Sequence, residues 1–120
     1  MSTEKKNYFL GADQIDIAIK ELSDTQERAL DLVASAFNGR SAYEPSREII
    51  ILTMEVIVSI EDFLEFTTEL TSSAEIIEKG NAIGLKIEEA ELDELALRSV
   101  ICRDKLTILR SVGVVLDIVH

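Results

Sequence analysis

Apolar residues recur along this chain at helical spacing in three segments, and two short loop-forming stretches separate them. The first loop is NGRSAYEP, residues 38–45, which ends in the only proline of the sequence. A proline disfavours helix at the residue before it. The second loop is KGNAIG, residues 79–84, which holds two glycines. Because glycine and proline are the strongest breaks in a helical pattern, the chain is predicted to contain three long helices.

The first segment, residues 12–37, has the pattern of an amphipathic helix. Its apolar residues follow one another at steps of three and four with one interruption at Gln26, and Asp13 is a candidate N-cap. The apolar positions are Ile15, Ile19, Leu22, Ala29, Val33 and Ala36. This helix is expected to bury one side and to expose the other.

The third segment runs from about residue 87 to the end of the chain. From Leu92 to Leu116 one line of residues repeats at alternating steps of three and four, as in a heptad pattern. A second apolar line beside it widens the stripe, so the helix is expected to contact more than one neighbour. The last stretch, VGVVLDIV at residues 112–119, fits either the end of this helix or a short strand.

The central segment is the most apolar part of the chain, with nine apolar side chains in the thirteen positions from Glu48 to Ile60. A membrane span is excluded because the stretch is too short and Glu55 interrupts it. A strand fits poorly because neither of its two faces would be polar. Acidic residues recur every seven positions and would form one line along a helix. They are Glu48, Glu55, Asp62 and Glu69. The segment is therefore predicted to be a helix that begins after an N-cap at Ser46.

The fold class that follows is all-α. We expect an antiparallel bundle of three long helices, or four if residues 73–80 form a separate short helix capped by Ser72 or Ser73. Residues 1–120 form a single domain in this prediction, and residues 1–11 form a flexible N-terminal arm. Three helices cover an almost wholly apolar central helix only thinly. The bundle is therefore expected either to be completed by a second copy in a homodimer or to keep a groove for a partner.

Charge is unevenly distributed and narrows the class of partner. The net charge is −11, and residues 44–94 alone hold fourteen acidic residues against three basic ones. Such a chain should repel nucleic acid and anionic membranes, because both are bound through Lys and Arg. A basic protein is the expected partner. The alternative is that the acidic residues only keep an aliphatic-rich protein soluble.

Candidate catalytic chemistry is sparse. The only histidine is His120, and the only cysteine, Cys102, occupies a core heptad position, so no nucleophile has an ordinary base. Glu88, Glu91 and Glu94 lie at steps of three, but helical dimetal sites add a Glu-x-x-His step that this chain lacks. The acids are better explained as the start of a helix, where the dipole favours them. No catalytic residue, metal site or cofactor is predicted.

The function predicted from the sequence is therefore non-enzymatic binding of another protein. The most concrete form is an inhibitor, immunity protein or antitoxin that covers a basic target. The contact residues are predicted to be Glu55, Glu61, Asp62, Glu65 and Glu69, with Phe63 or Phe66 as an apolar anchor. An alternative is a dimeric adaptor or secretion chaperone, and a remote one is a helical bundle that binds metal through carboxylates alone. A lone cysteine and the lack of a recognisable signal peptide predict a cytoplasmic protein.

Overall fold

The computed structural model of the protein describes residues 7–38 and 46–116, which form three helices and one three-stranded antiparallel sheet. The elements in chain order are β1 (Asn7–Gly11), α1 (Ala12–Asn38), α2 (Arg47–Ser73), β2 (Glu75–Lys79), β3 (Ala82–Glu88) and α3 (Glu89–Ser111). The prediction of an all-α bundle is therefore wrong. The fold is a mixed α/β fold that is mostly helical.

The three long helices lie in the three predicted segments. The central apolar stretch is helical, and its N-cap is Ser46, whose hydroxyl oxygen accepts a hydrogen bond from the Ile49 N–H at 3.3 Å. The acidic cluster at the start of α3 forms a capping box, in which the Glu88 N–H donates to the Glu91 carboxylate at 3.0 Å. The last helix ends at Ser111, and residues 114–116 form neither helix nor strand.

The sheet is the feature that the sequence analysis missed. Its order is β1-β3-β2, with β3 in the middle. Residues 73–80, predicted to be helical, contain the whole of β2, and residues 7–11 of the predicted N-terminal arm form β1. A two-residue turn joins β2 to β3, and its first residue, Gly80, has a φ of 64°. Glycine with positive φ at this position is the requirement of a type II′ hairpin turn.

The middle strand β3 alternates between its two faces. Leu85 and Ile87 are buried toward the helices, while Gly84 lies on the opposite face beneath the ring of Phe9. A Cβ at Gly84 would lie 2.5 Å from ring atoms of Phe9 and 2.6 Å from the carbonyl oxygen of Leu10. Only glycine therefore allows β1 to pair this closely with β3.

Two apolar clusters form the core, one between the helices and one between the helices and the sheet. The buried residues of the helical cluster are Ala29, Val56, Ile60, Phe63, Cys102, Leu106, Leu109, Val114 and Leu116. Those of the sheet cluster are Ile15, Leu70, Leu85 and Ile87. Helix α2 contributes to both clusters and packs against both other helices, so it is the central helix of the fold.

Candidate functional site on the outer face of helix α2

Helix α2 lies between the other two helices, and polar contacts fix both neighbours. On one side, the thiol of Cys102 in α3 donates to the carbonyl oxygen of Ser59 at 3.2 Å, and Lys105 lies 3.3 Å from the carboxylate of Glu55. On the other side, the amide of Gln26 in α1 donates to the carbonyl oxygen of Ile57. No helix or strand in the described part of the chain covers the side of α2 that faces away from the core, and we call this side the outer face.

The first half of the outer face is apolar. Ile51, Met54 and Val58 are spaced by three and four residues, so they lie on one side of the helix. Each is exposed over 48–59% of its surface, although aliphatic side chains of this size are usually buried. These three side chains form a row of apolar surface that no described element covers.

The second half of the outer face is acidic. Glu61, Glu65 and Glu69 are exposed and continue the same side of the helix at steps of four. The Glu61 carboxylate accepts a hydrogen bond from the Gln26 amide at 2.9 Å. Among the described residues, no side chain forms an ion pair or hydrogen bond with the carboxylate of Glu65 or of Glu69. Within residues 7–38 and 46–116, these two carboxylates therefore remain available to a cation of another molecule.

The remaining predicted contact residues lie elsewhere on α2. Phe63 is 5% exposed in the helical core, on the side opposite Glu65, so it is not placed to serve as an anchor. Phe66 faces α3, where the guanidinium of Arg98 lies 4.9 Å from its ring centroid. Glu55 also faces α3 through its ion pair with Lys105. Asp62 is exposed near them, and its carbonyl oxygen accepts a hydrogen bond from Arg98. Glu61, Asp62, Glu65 and Glu69 are therefore exposed without an ion pair to α3, whereas Glu55 is exposed but paired with Lys105.

The apolar residues of the outer face were not among the predicted contacts. Their signal was present in the sequence, since Ile51, Met54 and Val58 share a side of the helix with Glu61 and Glu65. The first half of α2 is apolar almost all round, however, so the sequence could not tell which side would stay uncovered. That depends on where α1 and α3 pack.

A cleft of about 470 Å³ lies on the core side of α2, between α1 and α3. Its apolar lining includes Ile17, Leu22, Phe63 and Leu106. The charged residues beside it are of both signs, namely Lys20, Glu21, Asp24, Arg28 and Arg103. Because these charges are mixed, the cleft does not favour a basic partner, and the outer face fits the expected chemistry better.

Cys102 also lines this cleft. Burial raises the pKa of its thiol, a hydrogen bond with the side chain of Ser59 lowers it by less, and the carboxylate of Asp62 raises it further. A thiol with a raised pKa is a weak nucleophile at neutral pH, because the thiolate is the reactive form. The side chain instead packs in the helical core, as its heptad position predicted.

Within residues 7–38 and 46–116, no three His, Cys, Asp or Glu side chains come close enough together to hold a metal ion. None of the three helices combines the length and the apolar character that a membrane span needs.

Comparison of the chain with protein-family models, with curated proteins and with solved structures found no match. The function of the chain is therefore inferred from its own geometry and charge.

Proposed function

We propose that this protein acts without catalysis, by binding another protein through the outer face of α2. The observation that supports this is the adjacency of two kinds of surface on one helix. Three exposed apolar side chains, Ile51, Met54 and Val58, are followed by the exposed carboxylates of Glu61, Glu65 and Glu69. A partner with an apolar patch beside Lys or Arg residues would complement both halves.

The apolar half would supply most of the affinity. Full burial of an aliphatic side chain contributes about 1.5–3 kcal/mol, and these three are already about half buried. Covering each of them would therefore contribute about 1 kcal/mol. The cost of leaving this row in water gives a physical reason for a partner to cover it.

The acidic half would select the partner. Complementary charge accelerates encounter and disfavours surfaces of the wrong sign. The chain carries a net charge of −11, so nucleic acid and anionic membranes are repelled while a basic protein is attracted. Glu65 and Glu69 have no partner among the described residues, so no ion pair within that part of the chain has to break before they bind.

An inhibitor, immunity protein or antitoxin that covers a basic target is the role that fits this surface most directly. Such a protein needs no catalytic group, only a stable helix that presents complementary apolar and charged surface. We place the protein in the cytoplasm, because its one cysteine is a buried free thiol and a reducing compartment would keep it so.

The test is a capture experiment with three versions of the immobilised protein and a lysate of the source cells. The versions are the wild type, the outer-face variant E61K/E65K/E69K, and the control variant D16K/E27K/D31K, which makes the same charge change on the exposed side of α1. We expect a protein with a basic surface to be enriched on the wild type and the control and lost on the outer-face variant. Equal capture by all three versions, or no enriched protein, would contradict the proposal.

A further inference from the structure

Strand β2 is an edge strand that extends beyond the helical layer. Helices α1 and α3 pack against β1 and β3, and the helix-facing side of β2 remains open to solvent. Ile76 on that side is 68% exposed. Since β3 pairs with only one edge of β2, no strand among residues 7–38 and 46–116 pairs with its other edge.

The hairpin turn determines which backbone groups of β2 point away from the sheet. Lys79 and Ala82 flank the two-residue turn and face each other across the strands. In a II′ hairpin these flanking residues are hydrogen-bonded, and in an antiparallel ladder bonded and non-bonded pairs alternate. Ile77 and Glu75 are therefore bonded to β3, whereas the N–H and C=O groups of Ile76 and Glu78 point outward. An edge of this kind is a template for another strand.

We propose that β2 pairs antiparallel with β2 of a second copy of this chain, in a register centred on Ile77. Ile76 of each copy then lies opposite Glu78 of the other, and each such pair exchanges two backbone hydrogen bonds. The two three-stranded sheets become one sheet of six strands. The twofold axis is perpendicular to this sheet, so the helices of both copies lie on the same side of it.

Charge complementarity selects this register. Centred on Ile77, it sets Glu75 opposite Lys79 of the second copy, and it does so twice by symmetry. The Glu75 carboxylate already lies 3.8 Å from the Lys86 ammonium on its other side. Each acid would thus lie between two cations on the same face of the sheet. Opposite charges directly across two strands stabilise their pairing.

The neighbouring registers with the same hydrogen-bonding geometry lack this match. A register centred on Ile76 sets Glu75 opposite Ile77 and Glu78 opposite Ala74, so neither acid of the strand faces a cation of the second copy. A register centred on Glu78 sets two carboxylates directly opposite each other, which is unfavourable. The sequence Glu75–Lys79 is therefore complementary to itself in one antiparallel alignment.

Apolar contacts follow the same alignment. Ile77 of each copy lies opposite Ile77 of the other, on the face where Phe9 covers Gly84. The dimer therefore extends one apolar row across the sheet, from Phe9 of one copy to Phe9 of the other. None of these residues belongs to the outer face of α2, so the dimer and the proposed partner binding are tested separately.

The experiment is sedimentation velocity at high micromolar concentration with charge-swapped variants. The wild type is expected to sediment as a dimer, with twice the chain mass of 13.3 kDa. E75K and K79E should each be monomeric, because each sets like charges opposite each other twice. The double variant E75K/K79E should return to the dimer, because it restores both opposite-charge pairs. Recovery by the double swap is specific to the register centred on Ile77.

Two further variants separate this interface from others. In Ile76→Pro the lost N–H points away from β3, so the monomer should keep its fold by circular dichroism while the dimer is lost. The control E69K changes the charge on α2 and should remain dimeric. A monomeric wild type would overturn the proposal. So would a dimer that persists in both single charge variants, or single-variant monomers that the double swap does not restore.

Discussion

The thiol of Cys102 in α3 donates a hydrogen bond to the backbone carbonyl oxygen of Ser59 in α2, with 3.2 Å between sulfur and oxygen. Both side chains are buried. This contact lies near the middle of both helices. The ion pair between Lys105 and Glu55 lies one turn nearer the C-terminus of α3 and one turn nearer the N-terminus of α2. The two contacts together define the antiparallel register in which α3 covers one side of α2.

Burial of Cys102 predicts a loss of stability at alkaline pH. The folded state raises the pKa of this thiol, so the protonated form is favoured in the native protein. Below about pH 8.5 the thiol is protonated in both the folded and the unfolded state, so its ionisation does not change the free energy of unfolding. Above it the unfolded state ionises first, so the free energy of unfolding should fall as the pH rises. Urea unfolding of the wild type and of Cys102→Ala between neutral pH and pH 10 tests this prediction. The free energy of unfolding should fall less with pH in the variant than in the wild type.

Two residues of α2 test how the helix divides between core and outer face. Ile60 is fully buried, whereas Val58 is exposed on the outer face. Ile60→Ala should lower the free energy of unfolding by about 2–5 kcal/mol, because it leaves a cavity. Val58→Ala should change it by less than about 0.5 kcal/mol. Denaturant titration of both variants measures this difference, and similar losses would mean that the outer face is covered within the monomer.

Gly84 tests the pairing of β1 with β3. Gly84→Ala places a methyl group against the Phe9 ring and the Leu10 carbonyl oxygen, and the backbone cannot move aside easily. We expect a loss of about 1–3 kcal/mol in unfolding free energy. The control is Gly11→Ala, whose added Cβ would lie 3.5 Å or more from the flexible side chain of Gln14. Thermal melts should show a clear loss for the first variant and little change for the second.

The ion pair between Glu55 and Lys105 should contribute little to stability. Both side chains are more than a third exposed, and pairs of this kind contribute about 0–1 kcal/mol. A double-mutant cycle with Glu55→Gln and Lys105→Met should give a coupling energy in that range that decreases with added salt. A larger coupling that is insensitive to salt would show that the pair is shielded from water.

The helices were predictable from sequence because each carries a long periodic signal. The heptad line of α3 includes Cys102 and Leu109, and both are buried. Pro45 and Ser46 marked the start of α2, which begins at Arg47. Helix periodicity and helix caps both depend on residues that are close in sequence, so they can be recognised without knowledge of the tertiary structure.

The sheet was missed because its strands are short and depend on distant pairing. Strand β2 is exposed on both faces except at Ile77, so it shows no alternation of apolar and polar residues. Strand β1 pairs with β3 across more than seventy residues of sequence, a contact that no local pattern reveals. Only β3 carries a local signal of a strand. After the break at Gly80, Ile83, Leu85 and Ile87 alternate with Gly84 and Lys86.

The candidate site was predictable in charge but not in position. The acidic character of α2 was evident, and Glu65 and Glu69 do face solvent. The apolar half was not identified, because the uncovered side of α2 depends on the packing of α1 and α3. Phe63 was predicted as a possible anchor, but it is a core residue. An apolar residue next to acidic ones gives the same sequence pattern whether it packs in the core or binds a partner.

Binding of a basic protein to the outer face of α2 is tested most directly by the affinity for the captured partner. The dissociation constant should be measured by isothermal titration calorimetry at low and at high salt for the wild type, E61K/E65K/E69K and D16K/E27K/D31K. We predict that the outer-face variant binds at least about tenfold more weakly at low salt, which corresponds to about 1.4 kcal/mol. The α1 variant should lose less, and affinity of the wild type should fall with salt. Equal affinity of the wild type and the outer-face variant would contradict the claim.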